Sequence, residues 1–279
     1  MAAGGRPDQD AGMTEPRPHV REAGAGAPVV CLHSNASSSA QWRPLMARLA
    51  PRFHVLAPDL HGAGSSPEWP SDTVITLADE LALIEPVLAS AGAPLVLVGH
   101  SYGAALALLA ALAHRPRLAA LVVYEPTLFA LIDADAAPPN DADGIRDAVA
   151  DCARALHRGD LDAAAKRFID YWSGAGSWER VPEQRKPALA ASITKVRRWG
   201  HALFGEATPL AAFASLDVPV LVLTGGRSTA AARGVVRLLL RTLPRAERVE
   251  FAELGHMGPV TDPDRVDPVI VDFLQRVCA

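Results

Sequence analysis

The chain has 279 residues, enough for one elaborated domain with a sizeable core. Apolar residues make up 49% and charged residues 21%, which excludes a wholly disordered or fibrous protein. A net charge of −4 excludes a general attraction to nucleic acid or to anionic membranes.

Residues 1–18 carry Gly, Pro and charge without an apolar stretch, so they read as a disordered tail and not as a secretory signal. His19 to Glu22 reads as a front-edge strand. Pro28 to His33 is a buried strand, Ala40 to Ala50 a helix, and Phe53 to Pro58 a second long strand. Thr76 to Ala91 has the pattern of an amphipathic helix with Pro86 as a kink. Pro94 to Gly99 is a strand, Tyr102 to His114 its helix, and Leu118 to Tyr124 a further strand. Residues 127–215 contain no convincing strand but hold helical patches at 143–156, 161–171 and 182–203; so long a segment predicts a helical cap inserted in the core and not a bare loop. The core then resumes over residues 216–279, with strands at 218–224 and 248–252 and helices at 230–243 and 263–277. Continuous Val/Leu runs separated by helices predict an α/β fold, a mostly parallel sheet with helices on both faces.

Cys31, Cys152 and Cys278 are odd in number and far apart, so a disulfide framework or zinc knuckle is not expected and a reducing compartment fits. The longest apolar run, Ala104 to Ala113, has about half the length a bilayer span needs, so a cytoplasmic protein without a membrane partner is expected. Only Lys166, Lys186 and Lys195 are lysines among the 27 basic residues, which with the many alanines points to a GC-rich bacterial genome. The sequence has no HExxH, no clustered Cys and His and no glycine-rich phosphate loop, so neither metal nor cofactor is expected. Arg233, Arg237, Arg241 and Arg245 recur every four residues and read as a solvated helix face.

The chemistry is carried by Gly99-His100-Ser101-Tyr102-Gly103, a GxSxG between a strand and a helix. A serine on such a turn sits in a strained backbone with its hydroxyl exposed, and small residues on either side let strand and helix approach. A hydroxyl is a weak nucleophile and needs a base. His256, in Glu253-Leu-Gly-His-Met-Gly-Pro259, follows the last strand, where a loop returns to the sheet's carboxyl edge. His33, His54, His61, His114, His157 and His201 read as packing or surface residues. Asp59 reads as a loop-fixing residue, and Trp172, Trp178 and Trp199 as pocket wall or cap core.

With these residues in place the chain resembles the α/β-hydrolase superfamily from about residue 19 onward. The resemblance lies in HSNASS after the first long strand, PDLHGAGSS, GHSYG, the helical segment, PVLVLTGG and GHMGP. It implies an α/β-hydrolase fold with Ser101 and His256 as nucleophile and base. In many relatives the third member is an Asp just after the PVLVLxG strand. Here Ser228 holds that place, and no Asp or Glu lies between Val218 and Ala246. The other position from which a carboxylate reaches the same histidine is the preceding strand end, where Glu125 sits in Leu121-Val-Val-Tyr-Glu-Pro126. Certain haloalkane dehalogenases resemble this displaced arrangement, and the order Ser101, Glu125, His256 satisfies nucleophile, acid, base. Asp133, Asp135, Asp262 and Asp264 are weaker alternatives. The resemblance also implies an oxyanion hole from the backbone N–H groups of Asn35 and Tyr102.

These readings converge on a cofactor-independent serine hydrolase, monomer or homodimer, acting on a small to medium carboxylic ester or lactone. Carbon–carbon bond hydrolysis of diketone-like ring-cleavage products stays open with the same triad, as does a degenerate hydrolase that only binds ligand. Haloalkane dehalogenase and epoxide hydrolase activities are disfavoured, because relatives with those activities carry Asp at the position of Ser101.

Overall fold

The computed structural model describes residues 16–70 and 73–278, so most of the tail expected over residues 1–18 lies outside the described residues. The chain opens with β1 (Val20–Ala23) and β2 (Ala27–Leu32), then α1 (Arg43–Leu49), β3 (Phe53–Pro58), α2 (Leu77–Ser90), β4 (Leu95–His100), α3 (Tyr102–Ala113) and β5 (Leu118–Tyr124). Six helices follow: α4 (Ala130–Asp135), α5 (Asp143–His157), α6 (Leu161–Ser173), α7 (Ser177–Arg180), α8 (Lys186–Ile193) and α9 (Val196–Phe204). The chain then completes β6 (Val220–Gly225), α10 (Ala230–Thr242), β7 (Ala246–Phe251), α11 (Gly258–Thr261) and α12 (Pro263–Val277).

The seven strands form one sheet in the order β1-β3-β2-β4-β5-β6-β7. Only β1 runs antiparallel, pairing Val20 with Pro58 and Ala23 with Val55 at the edge. The central strands are apolar throughout because both of their faces are covered. Val29, Cys31, Val96, Val98, Val122 and Leu221 pack into the layer under α1 and α12. Their neighbours Val30, Leu32, Leu97, Leu121, Val123 and Val222 belong to the larger cluster on the other face, with α2, α3 and α10.

Several boundaries differ from the periodicity reading. The helix expected over 40–50 begins as a 3-10 turn at Ser39–Trp42, because the Ser38 side chain caps that turn and Pro44 opens α1. The patch expected over 182–203 divides into a 3-10 turn, α8 and α9. Helix α2 starts at a capping box in which the Thr76 hydroxyl and the Asp79 carboxylate exchange bonds with each other's backbone N–H, and it continues across Pro86 without ending. The last strand lies at 246–251 and not at 248–252. Among the described residues no helix is long and apolar enough to cross a membrane.

Candidate active site

The parallel strands bring β4, β5 and the β7–α11 loop to one edge of the sheet, and each delivers one of the candidate side chains there. Ser101 lies between β4 and α3 with φ 57° and ψ −117°, a strained conformation that the turn imposes. Small neighbours are compulsory at this turn. A Cβ on Gly99 would stand 2.5 Å from the Ala104 Cα, and one on Gly103 would stand 2.2 Å from the Leu32 carbonyl oxygen.

His256 Nε2 lies 2.9 Å from Ser101 Oγ, and His256 Nδ1 lies 2.7 Å from Glu125 Oε2. The second oxygen of Glu125 accepts bonds from Thr224 Oγ1 at 2.9 Å and from the Gly225 N–H at 2.7 Å. Glu125 is wholly buried and has φ 46°, outside the usual range for a side-chain-bearing residue. Burial acts to raise its pKa, but the His256 hydrogen bond and charge and the Gly225 N–H together bring it below the ordinary carboxylate value. Ser228, where the acid stands in many relatives, is buried beside this carboxylate. Its hydroxyl helps to hold the Glu125 pKa down although it forms no well-aligned hydrogen bond. The structure thus brings Ser101, His256 and Glu125 together. Asp133 and Asp135 stand elsewhere, engaged by Arg146 and Arg241, and Asp264 pairs with Arg48.

The His256 loop is held by two groups that sequence reading passed over. Tyr124 OH donates to the Gly255 carbonyl at 2.7 Å, and His100 Nε2 bonds the His256 carbonyl at 2.8 Å. A carbonyl only accepts, so His100 carries its proton on Nε2. Its Nδ1 then accepts from Gln41 Nε2 at 3.1 Å, while Gln41 Oε1 accepts from the Ser34 N–H at 3.2 Å and the Ser34 hydroxyl at 3.0 Å. Burial, followed by the neighbouring His256, keeps the His100 pKa well below the ordinary imidazole value, so the ring is neutral. This relay ties the loop bearing Asn35 to the loop bearing His256. The only hint of it in the sequence was the His inside the GxSxG.

Asn35 and Ser101 line one cavity of about 480 Å³. Among the described residues, neither the Asn35 nor the Tyr102 backbone N–H donates to a loop, turn or cap acceptor. His33, expected to be a packing residue, braces this turn: its Nδ1 donates to the Ser34 carbonyl at 2.8 Å and its Nε2 accepts from the Leu60 N–H at 3.1 Å. Asp59 fixes the adjoining loop through the N–H groups of Ser39 at 2.6 Å and Ser65 at 3.0 Å. The far wall comes from residues 127–215, including Phe129, Phe168, Trp172, Trp199 and Phe204, and His256 is the one titratable group in the lining. Trp172 stacks on the His256 ring with centroids 4.0 Å apart and planes inclined by 27°. Trp178 lies apart from the cavity, its indole N–H bonded to Asp162. Among the described residues no group of three or more His, Cys, Asp or Glu side chains could hold a metal ion.

Comparison with known proteins agrees with this architecture. A haloalkane dehalogenase of Agrobacterium fabrum is 35% identical over 121 residues, a match that covers 43% of this chain and only 39% of the dehalogenase. An α/β hydrolase from Sphaerobacter thermophilus superposes with a TM-score of 0.68 at 30% identity, covering 92% of this chain and 95% of that one. A thermophilic esterase from Thermogutta terrifontis superposes with a TM-score of 0.68 at 25% identity, covering 93% of each chain. A family model described as alpha/beta hydrolase fold matches residues 27–263, and the chain belongs to that family.

Proposed function

We propose that the protein is a serine hydrolase that cleaves a small to medium carboxylic ester or lactone through an acyl-enzyme on Ser101. The observation that carries this reading is the unbroken hydrogen-bonded series Ser101 Oγ, His256, Glu125, with spacings of 2.9 and 2.7 Å. His256 Nε2 takes the hydroxyl proton as Oγ attacks the carbonyl carbon, and Glu125 holds the Nδ1–H and balances the imidazolium that forms. The backbone N–H groups of Asn35 and Tyr102 receive the oxyanion, donors fixed before the charge develops. His256 then hands its proton to the leaving oxygen, and a water activated by the same ring releases the acid.

The helical segment 127–215 acts as a cap that selects substrate. The cavity it walls offers aromatic and aliphatic surface and no lysine, arginine or carboxylate, so the acyl part is neutral and apolar. The esterase likeness supports this reaction class. An alkyl-enzyme route needs a carboxylate nucleophile, and residue 101 is a serine.

The test is steady-state hydrolysis of p-nitrophenyl esters from acetyl to decanoyl, together with labelling by a fluorophosphonate. Wild type turns over and is labelled on Ser101, whereas Ser101→Ala folds normally and does neither. A folded wild type that neither reacts with the probe nor hydrolyses any of the series refutes the assignment.

A further inference from the structure

A second cavity of about 330 Å³ adjoins the first, and the two share Asn35 and Trp199 as common wall. Their linings differ in kind. The second is bounded by His33, Ser34, His61, Glu80, Ser192 and Lys195, where the first has aromatic rings. It also continues outward, because Ala36, Ser37, Gly62, Ala63, Ser192 and Lys195 line both it and a surface groove of about 1820 Å³. The polar chamber therefore lies between the surface groove and, across Asn35 and Trp199, the cavity that holds Ser101.

The chamber holds polar atoms that the fold itself does not use. His61 is about nine-tenths buried, and its Nδ1 is shut off from solvent without a hydrogen-bond partner. The Pro67 carbonyl, which accepts from the Gly62 N–H at 2.8 Å, lies near this ring and raises its pKa but makes no well-aligned bond to Nδ1. A buried ring nitrogen left unpaired is costly unless a ligand or water pairs it. Ser192 donates to the Leu189 carbonyl at 2.6 Å and keeps its oxygen free to accept. Lys195 Nζ bridges the Gly62 carbonyl at 2.5 Å and Glu68 at 2.8 Å, so its charge is spent at the mouth and not inside. Glu80 accepts from the His61 N–H at 3.0 Å and, more loosely, from Tyr102 OH at 3.4 Å.

Resting on the serine-hydrolase reading, we infer that this chamber is the leaving-group subsite and takes a neutral, hydroxyl-bearing alcohol, while the aromatic cavity takes the acyl chain. The direction follows from the two linings. On acylation the bond between the carbonyl carbon and the alkoxy oxygen breaks, and that oxygen takes the proton from His256. The acyl group stays on Ser101, and the alcohol must depart first. The polar chamber offers partners to the hydroxyls of a leaving alcohol, whereas the aromatic cavity, walled by residues of α5, α6 and α9, suits an apolar acyl chain. Hydroxyls of the alcohol meet His61 Nδ1, the Ser192 oxygen and the Asn35 side-chain amide in the chamber. No hydrogen bond to the protein engages that amide among the described residues.

The experiment compares methyl phenylacetate with glyceryl phenylacetate, which share one acyl group and differ in leaving alcohol. It uses wild type, His61→Phe, which keeps a ring against Trp69, and Ser192→Leu, which fills the chamber from another element; melting curves establish that each variant folds. The glyceryl-to-methyl ratio of kcat/KM is expected to fall about tenfold in either variant, the scale for losing hydrogen bonds to a substrate hydroxyl. A ratio unchanged in both folded variants overturns the subsite while leaving the hydrolase reading intact. A wild type that hydrolyses neither phenylacetate also overturns it, and fluorophosphonate labelling of Ser101 then decides whether the hydrolase reading falls too.

Discussion

At the carboxyl edge of the sheet, Ser101, Glu125 and His256 come from three separate strand ends, and buried groups hold each of them. The Ser101 turn is closed by Gly99 and Gly103, Glu125 by Thr224 and Gly225, and the His256 loop by Tyr124 and His100. Across the cavity, residues 127–215 present side chains on amphipathic helices. The ion pairs tying that segment to the rest are surface ones, Arg237–Asp141 at 2.8 Å, Arg241–Asp135 at 3.1 Å and Lys195–Glu68 at 2.8 Å. Exposed pairs contribute little, about 0–1 kcal/mol each. One side of the cavity is thus fixed by buried hydrogen bonds, and the other by apolar packing of side chains such as Phe129, Ile145, Val196 and Leu203, which carries no directional bonds. On the proposed function, chemistry and substrate choice are divided between these two kinds of structure.

The sharpest way to break that contrast is to remove reacting groups from the edge. Ser101→Ala is expected to lower kcat by about 10⁴- to 10⁶-fold while leaving the melting temperature close to that of wild type. Glu125→Gln is next, with a loss of about 10⁴-fold in kcat. Gly225 N–H and Thr224 OH demand an acceptor on one side, so the amide turns its NH₂ toward His256 Nδ1 and imposes the wrong tautomer. Ser228 then offers a specific rescue, because it is buried beside the same carboxylate. Adding Ser228→Asp to Glu125→Gln should restore at least about tenfold in kcat, since any carboxylate that reaches Nδ1 serves. Full activity in Glu125→Gln alone, measured on the preferred p-nitrophenyl ester, would remove Glu125 from the mechanism.

The same division explains what the sequence discloses. The central strands are legible because burial on both faces forces continuous apolar runs, and the Ser101 turn because two close approaches demand glycine. Glu125 is found through the family resemblance, which allows the acid at either of two strand ends: no acid lies between Val218 and Ala246, and Leu121 to Tyr124 end at a carboxylate. Helices α4, α7 and α11 escape notice because each spans six residues or fewer, too short for a 3.6-residue period to emerge. The Gln41–His100 bond joins residues 59 apart, and the Trp172–His256 stack joins the helical segment to the edge. Neither leaves a local pattern, because both depend on how whole elements pack. The two linings that meet at Asn35 are hidden for the same reason.

Trp172 is where the two regions touch, and it tests how separate they are. If the helical segment only shapes the cavity, replacing this ring changes KM. If the stack also orients the His256 imidazole, kcat falls as well. Trp172→Leu is expected to lower kcat/KM by about two- to tenfold, the scale of one aromatic stacking contact, with part of the loss in kcat. Trp172→Phe should recover most of it. A change confined to KM would leave the division complete.

The smallest effect expected concerns stability and contrasts Glu125 with a buried carboxyl that has no chemical duty. Asp267 in α12 is 2% exposed, with one oxygen unpartnered and Arg48 no closer than 3.8 Å. Burial, opposed by the Arg48 charge, pushes its pKa up to about 7, whereas that of Glu125 is lowered. The folded state therefore binds a proton on Asp267 more tightly than the unfolded chain does. Stability falls as pH rises from the ordinary carboxyl range through about 7 and does not return above it. Glu125 has the opposite sign: its contribution is present above the ordinary carboxyl value and is lost as pH falls through its lowered one. Glu80, also raised to about 7 by burial, adds to the Asp267 trend, so removing Asp267 alone cancels only part of it. Asp267→Asn keeps the shape and abolishes the charge. Its melting temperature should exceed that of wild type by about 2–4 °C at pH 8 and match it near pH 4, since about 1 kcal/mol shifts a domain of this size by that amount. An offset equal at both pH values would mean that the fold does not raise the Asp267 pKa, and a melting temperature below that of wild type at pH 8 would mean that Arg48 holds it ionised.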